Sequence, residues 1–83
     1  MKTIYLDGRR LQRTPEGYTY IQELFHFPDH FGKNMDALYD LLTELCEEVN
    51  VEINHSDEMD MMIKKVVLNA QDENNSLNIC LTK

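Results

Sequence analysis

The sequence predicts an α/β fold: a two-layer domain in which a three-stranded parallel sheet carries its helices packed on one face, in the order β-α-α-β-α-β. Three observations predict it. Apolar residues alternate strictly in three short stretches, they recur at steps of three and four in the segments between, and each alternating stretch keeps a polar side. Strands separated by helices favour parallel pairing through right-handed crossovers, and crossovers that each add a strand in the same direction put all the helices on one side. Parallel strands covered on both faces read as unbroken apolar runs, so the retained polar positions leave the other face of this sheet to water.

The first strand spans Thr3 to Asp7, with Ile4 and Leu6 on one side and Thr3 and Tyr5 on the other, and Asp7-Gly8 ends it. Thr14-Pro15-Glu16 reads as an N-cap with proline at the first helical position, so a first helix runs from about Pro15 to Phe25, with Ile21, Leu24 and Phe25 at helical spacing. Pro28 disfavours the helical conformation at Phe27, and the chain turns through Asp29-His30-Phe31-Gly32. Asn34 caps a second helix with the apolar set Leu38, Leu41, Leu42, Leu45, Cys46 and Val49. Val49, Val51 and Ile53 alternate with Asn50, Glu52 and Asn54 in a second strand. Ser56 or Asp57 caps a third helix with the core stripe Met59, Met62, Ile63, Val66, Val67 and Ala70, the methionines reading as core. Asp72-Glu73-Asn74-Asn75 is a polar loop, and Leu77, Ile79 and Leu81 form the last strand.

The 83 residues make one domain, residues 1–83, without repeats, linkers or low-complexity segments. Cys46 and Cys80 belong to no CxxC or Cys/His pattern and read as buried thiols. The start of the chain is charged by Asp7, with no apolar stretch for a signal or membrane span, so a cytoplasmic protein is expected. Eight basic residues against 15 acidic ones give a net charge of −7, which repels nucleic acid and anionic lipid and favours a basic protein partner.

Distribution sharpens that expectation. Opposite the apolar stripe of the second helix stand Asp36, Tyr39, Asp40, Thr43, Glu44 and Glu47, at offsets 0, 3, 4, 7, 8 and 11 along one outward face. Asp36 suits the positive end of the helix dipole. Asp40 lies a turn deeper, is a poor helix former, and is repelled by Asp36 at a cost of about 0.2–0.5 kcal/mol. An exposed Tyr39 beside two carboxylates is a combination that interfaces favour.

The stretch from Pro28 to Thr43 resembles the barstar family, whose pattern is a proline, an aromatic pair, Gly-x-Asn-hydrophobic-Asp-Ala-Leu-aromatic-Asp and then threonine. The dense match covers these sixteen residues, and element order and hydrophobic spacing extend the likeness over the chain. The resemblance implies a non-enzymatic inhibitor that plugs the active site of a barnase-like ribonuclease in a 1:1 complex; a monomer is expected when free, because the second helix must stay open, and no cofactor or metal is expected. It implies that Asp40 occupies the nuclease's phosphate site, and that Gly32, Asn34, Asp36 and Thr43 stand at interface positions. Tyr39 stands where the family usually has tryptophan, and His30, next to Phe31, where it has a tyrosine. Glu44 and Leu45 replace a Gly-Trp pair, the link from Val51 to Met59 lacks the family's extra helix, and an acidic contact falls at Glu73.

Two rival readings stay open. An acidic adaptor, or an immunity protein against a toxin of other chemistry, would use the same face on a different basic partner. A small hydrolase would have to assemble His26, Asp29, His30 and His55, but Pro28 breaks the helical pairing of His26 with His30, and no phosphate loop or nucleophile elbow is present.

Overall fold

The computed structural model describes residues 2–13, 15–29 and 31–83. Strands β1 (Lys2–Asp7), β2 (Val49–Asn54) and β3 (Leu77–Leu81) form one parallel sheet in the order β1-β2-β3. Helices α1 (Glu16–Phe25) and α2 (Met35–Thr43) lie in the first crossover and α3 (Met61–Glu73) in the second, with short 3-10 turns at Gly8–Leu11 and Ser56–Glu58. The two-layer α/β architecture is the expected one.

Alternation decides which face is covered. Ile4, Leu6, Val49, Val51, Ile53 and Leu77 are buried, while Tyr5, Glu52 and Cys80 pair across the strands in a row on the other face, where Tyr5 is 65% exposed. Onto the buried face α1 sets Tyr18 and Ile21, α2 sets Leu38 and Leu42, and α3 sets Ile63, Val67 and Ala70. Each fully buried Leu or Ile contributes about 1.5–3 kcal/mol of transfer free energy. Leu11, Phe31 and Met59 close the core from the connecting segments.

Both sheet edges are occupied by helix side chains. The amide of Ile79 on β3 donates to the side-chain carbonyl of Gln71 on α3, and that of Asp7 on β1 donates to the Tyr20 hydroxyl at 2.9 Å. Such contacts blunt the strand-on-strand association that open edges invite.

The structure corrects several expectations at the element ends. Thr14, expected as a cap, lies outside the described residues, and α1 starts one residue after Pro15, which supplies no side-chain cap. Ser56 and Asp57 belong to their own 3-10 turn, and the cap of α3 is Asp60, whose carboxylate accepts from the Ile63 amide at 3.1 Å. The Asp60 amide donates to the Leu11 carbonyl at 2.8 Å, so the start of α3 is pinned to the turn after β1. Starting there, α3 buries Ile63, Val67 and Ala70, leaves Met62 half exposed, and places Met59 in the core ahead of the helix. Asp72 and Glu73 are helical, not loop. Both cysteines are exposed: Cys80 points to the open face of β3, and Cys46 sits in the loop before β2.

At Gly8 the chain leaving β1 presses on the chain leaving β2. A Cβ there would collide with the carbonyl oxygen of His55 and stand 2.8 Å from that of Asn54. Gly8→Ala is therefore expected to cost about 1–3 kcal/mol, since backbone must move to admit the methyl. Urea unfolding measures it, and a loss under about 0.5 kcal/mol would contradict the close approach.

Burial, aided by the negative charge of Asp60, raises the Tyr18 hydroxyl above its ordinary value of 10.0. A raised folded-state value means that stability is full below the unfolded value and is lost as pH climbs through the folded one. Unfolding free energy should thus decline above about pH 10, and Tyr18→Phe should reduce that alkaline loss. Equal alkaline loss in both proteins would contradict the shift.

Candidate protein-binding face

The loop between α1 and α2 is fixed from the inside. His26 ends α1 in the left-handed region (φ 59°), and the Phe27 amide turns back to the Gln22 carbonyl at 3.0 Å. The Gln22 side chain donates to the Pro28 carbonyl at 3.0 Å, and the Phe31 amide donates to the same carbonyl at 2.9 Å. Phe25 stacks on Phe27 at 5.1 Å, Phe27 meets Phe31 at 5.4 Å, and Phe31 meets the edge of Tyr18 at 6.3 Å. Four aromatic rings in contact anchor the loop to the core.

Phe31 is consequently 5% exposed. Its ring is committed to Tyr18 and Phe27, which gives it an anchoring role in the loop. Gly32 is exposed, and His30 lies outside the described residues. Asn34 caps α2 as expected: its Oδ1 accepts from the Ala37 amide at 2.8 Å, and its Nδ2 donates to the Gly32 carbonyl at 3.2 Å. One side chain thereby ties the loop to the helix and sets the angle at which α2 departs.

On α2, Leu38 and Leu42 are inserted into the core at 0% and 1% exposure, so rotation about the helix axis is blocked. Asp36 and Asp40 stand exposed on the opposite side. The ion pairs among the described residues are Arg9–Asp7 and His55–Glu58, so no described cation lies within 4.0 Å of either aspartate. Tyr39, expected to be exposed, is half buried against the core, its position on the helix being adjacent to that of the buried Leu42.

The helix is shorter than its apolar pattern suggests. Thr43 is its last residue, and the Thr43 hydroxyl donates back to the carbonyls of Tyr39 at 2.9 Å and Asp40 at 3.0 Å. The buried Asn74 then supplies what a further turn would have given, its amide donating to the carbonyls of Leu42 at 2.9 Å and Leu45 at 3.0 Å. Leu45, Cys46 and Glu47 accordingly lie beyond α2, and the expectation that Glu47 extends the helical face is corrected. Glu44 is the C-cap. Glu44 and Glu47 line a groove of about 340 Å³ together with Phe25, Leu45 and Lys2.

Asn74 also brings the end of α3 to the end of α2, so Glu73, exposed one residue earlier, joins the acidic end of the molecule. Sequence reasoning missed Asn74, since one more polar residue in a polar stretch gives no sign of a contact 32 residues away.

Chemically, the face offers carboxylates without an ion-pair partner among the described residues, on a fixed scaffold. Among the described residues no group of three or more His, Cys, Asp or Glu could hold a metal ion, and no helix is long and apolar enough to cross a membrane.

Comparison with known proteins adds the family. The chain is 37% identical over 43 residues, 52% of its length, to the Bacillus subtilis (strain 168) protein named "Putative ribonuclease inhibitor YrdF". It spans about half the length of that relative, the match covering 47% of it. A family model described as "Barstar (barnase inhibitor)" matches residues 1–76, nearly the whole chain. The chain belongs to the barstar family.

Proposed function

We propose that this protein inhibits a barnase-like ribonuclease by seating α2 and the preceding loop in its active site, one molecule to one. The observation that carries the reading is the pair Asp36 and Asp40, without an ion-pair partner among the described residues, on a helix whose other side is locked into the core. A ribonuclease must gather cationic groups in a cleft to hold phosphate, and carboxylates delivered there meet the same donors without presenting a bond to cleave. Rigidity matters because the carboxylates are ordered before binding, so little conformational freedom is lost on docking.

In this reading Asp40 takes the phosphate position, Asp36 supports it from the helix start, and Gly32, Asn34 and Tyr39 border the contact with His30. Glu44, Glu47 and Glu73 extend the negative field toward the ends of α2 and α3. Thr43 acts by ending the helix, since its hydroxyl is already turned inward. The protein acts as a monomer in the cytoplasm, without a cofactor.

Titration into a barnase-type ribonuclease assay tests the proposal. Cleavage should fall linearly and vanish at one equivalent. An unaffected nuclease that nevertheless binds the protein would support an adaptor or an immunity protein of other chemistry instead.

A further inference from the structure

All three arginines of this −7 chain, Arg9, Arg10 and Arg13, fall within five residues at the turn that follows β1. The other basic residues except Lys83, namely Lys2, Lys33, Lys64 and Lys65, are scattered among thirteen of the fifteen carboxylates. The turn lies at the carboxyl end of β1, whereas Glu44 and Glu47 adjoin Lys2 and Val49 at the strand starts. Asp57, Glu58 and Asp60 stand on the segment packed against that turn, so the arginines are grouped without being separated from negative charge.

The arginines are also held in place. The Arg9 guanidinium grips Asp7 in two-point fashion, Nε to Oδ1 at 3.2 Å and Nη2 to Oδ2 at 3.1 Å, and this bonding holds the Asp7 carboxyl below its ordinary range. Arg10 lies over the Tyr20 ring, 4.1 Å from its centroid, and Tyr20 is itself fixed by the Asp7 amide. Between them opens a cleft of about 220 Å³ lined by Arg9, Arg10, Gln12, Arg13, Glu16 and Tyr20. A second cleft of about 350 Å³ shares Arg9 and Tyr20 and adds Tyr5, His55 and Lys83.

We infer that the arginine cleft binds the phosphate group of a small phosphorylated ligand. Asp7 offsets one guanidinium, Glu16 lines the cleft and Glu58 acts on Arg9 from the neighbouring turn, so the site offers three planar donor groups through geometry and not through net charge. Guanidinium matches phosphate geometry at two points, and Arg9 and Arg10 are ordered before the ligand arrives. Capping of the turn accounts for Arg9 alone and leaves the convergence of Arg10 and Arg13 without a role. The adjoining cleft gives a nucleotide a place for its base, against the exposed ring of Tyr5, that free phosphate would leave empty.

The two clefts share no lining residue with α2, so their test is separate from that of nuclease inhibition. The test is an NMR titration of the intact protein at constant ionic strength with inorganic phosphate, adenosine 5′-monophosphate and adenosine, following the arginine Nε–H signals and the Gly8 and Leu11 amides. Phosphate and the nucleotide should both saturate below about 10 mM, and adenosine alone should not. Tighter binding of the nucleotide assigns the site to nucleotides, and equal binding assigns it to free phosphate. The double variant Arg10→Ala, Arg13→Ala changes exposed side chains, so its core signals away from Tyr20 should be unaltered while phosphate affinity falls at least about tenfold. Ribonuclease inhibition by that variant should equal that of the parent. Absence of saturation, or equal binding by the double variant, would overturn the inference.

Discussion

Asp40→Ala is expected to weaken the complex with a barnase-type ribonuclease by about 3–5 kcal/mol, at least a hundredfold in Kd, because a cationic cleft desolvated for a carboxylate is left unpaired. Stability of the free protein should move the other way. Asp40 is exposed, makes no ion pair among the described residues and stands one turn from Asp36, so alanine relieves a repulsion of about 0.2–0.5 kcal/mol and favours the helix. Glu47→Ala supplies the contrast. Its side chain is exposed beyond the end of α2, and rim charges of that kind contribute about 0–1 kcal/mol. Isothermal titration of the three proteins, with urea unfolding of each, measures both effects. Equal losses at residues 40 and 47 would remove Asp40 from the centre of the interface.

The largest effect on the fold is expected at Asn74. Its amide nitrogen serves the carbonyls of Leu42 and Leu45, and its Oδ1 accepts from the Ser76 amide at 2.9 Å. Asn74→Ala strands these groups at a buried junction, for an expected loss of about 2–3 kcal/mol. Asn74→Asp should be worse at neutral pH: it keeps the acceptor for Ser76 but sets a negative charge against two carbonyl oxygens. The end of α2 would then be free to fray, so the complex should dissociate faster in proportion to the displacement of Glu44 and Glu73. Thermal unfolding ranks the variants, and a loss under about 0.5 kcal/mol for Asn74→Ala would contradict the junction.

These two residues mark what the sequence discloses and what it conceals. Asp40 was legible because helical periodicity places it opposite Leu38 and Leu42, and periodicity survives without tertiary information. The strands were legible for the same reason: Ile4 and Leu6, or Val49, Val51 and Ile53, can face one layer only if the intervening residues face water. What failed was where elements stop. The apolar run through Leu45 and Cys46 continues the α2 pattern, yet the helix ends at Thr43, because a hydroxyl turned inward and an amide from α3 complete its carbonyls. Likewise Met59 and Met62 fit one stripe on paper, but the cap at Asp60, fixed by the Leu11 carbonyl, separates them. Phe31 read as a partner contact because it sits in the matching motif, and only the assembled ring cluster shows it facing inward. The grouping of three arginines is legible in the sequence, but the cleft beside Tyr20 is not.

Competition with phosphate at the nuclease tests most directly whether α2 replaces the RNA backbone. The Kd of the complex should be measured with a barnase-type ribonuclease at rising concentrations of a 3′-mononucleotide that occupies its active site, with ionic strength held constant. The account predicts that the apparent Kd rises linearly with nucleotide concentration, and that Asp40→Ala loses much of that dependence. An inhibitor affinity indifferent to the nucleotide would place the carboxylates somewhere other than the phosphate site.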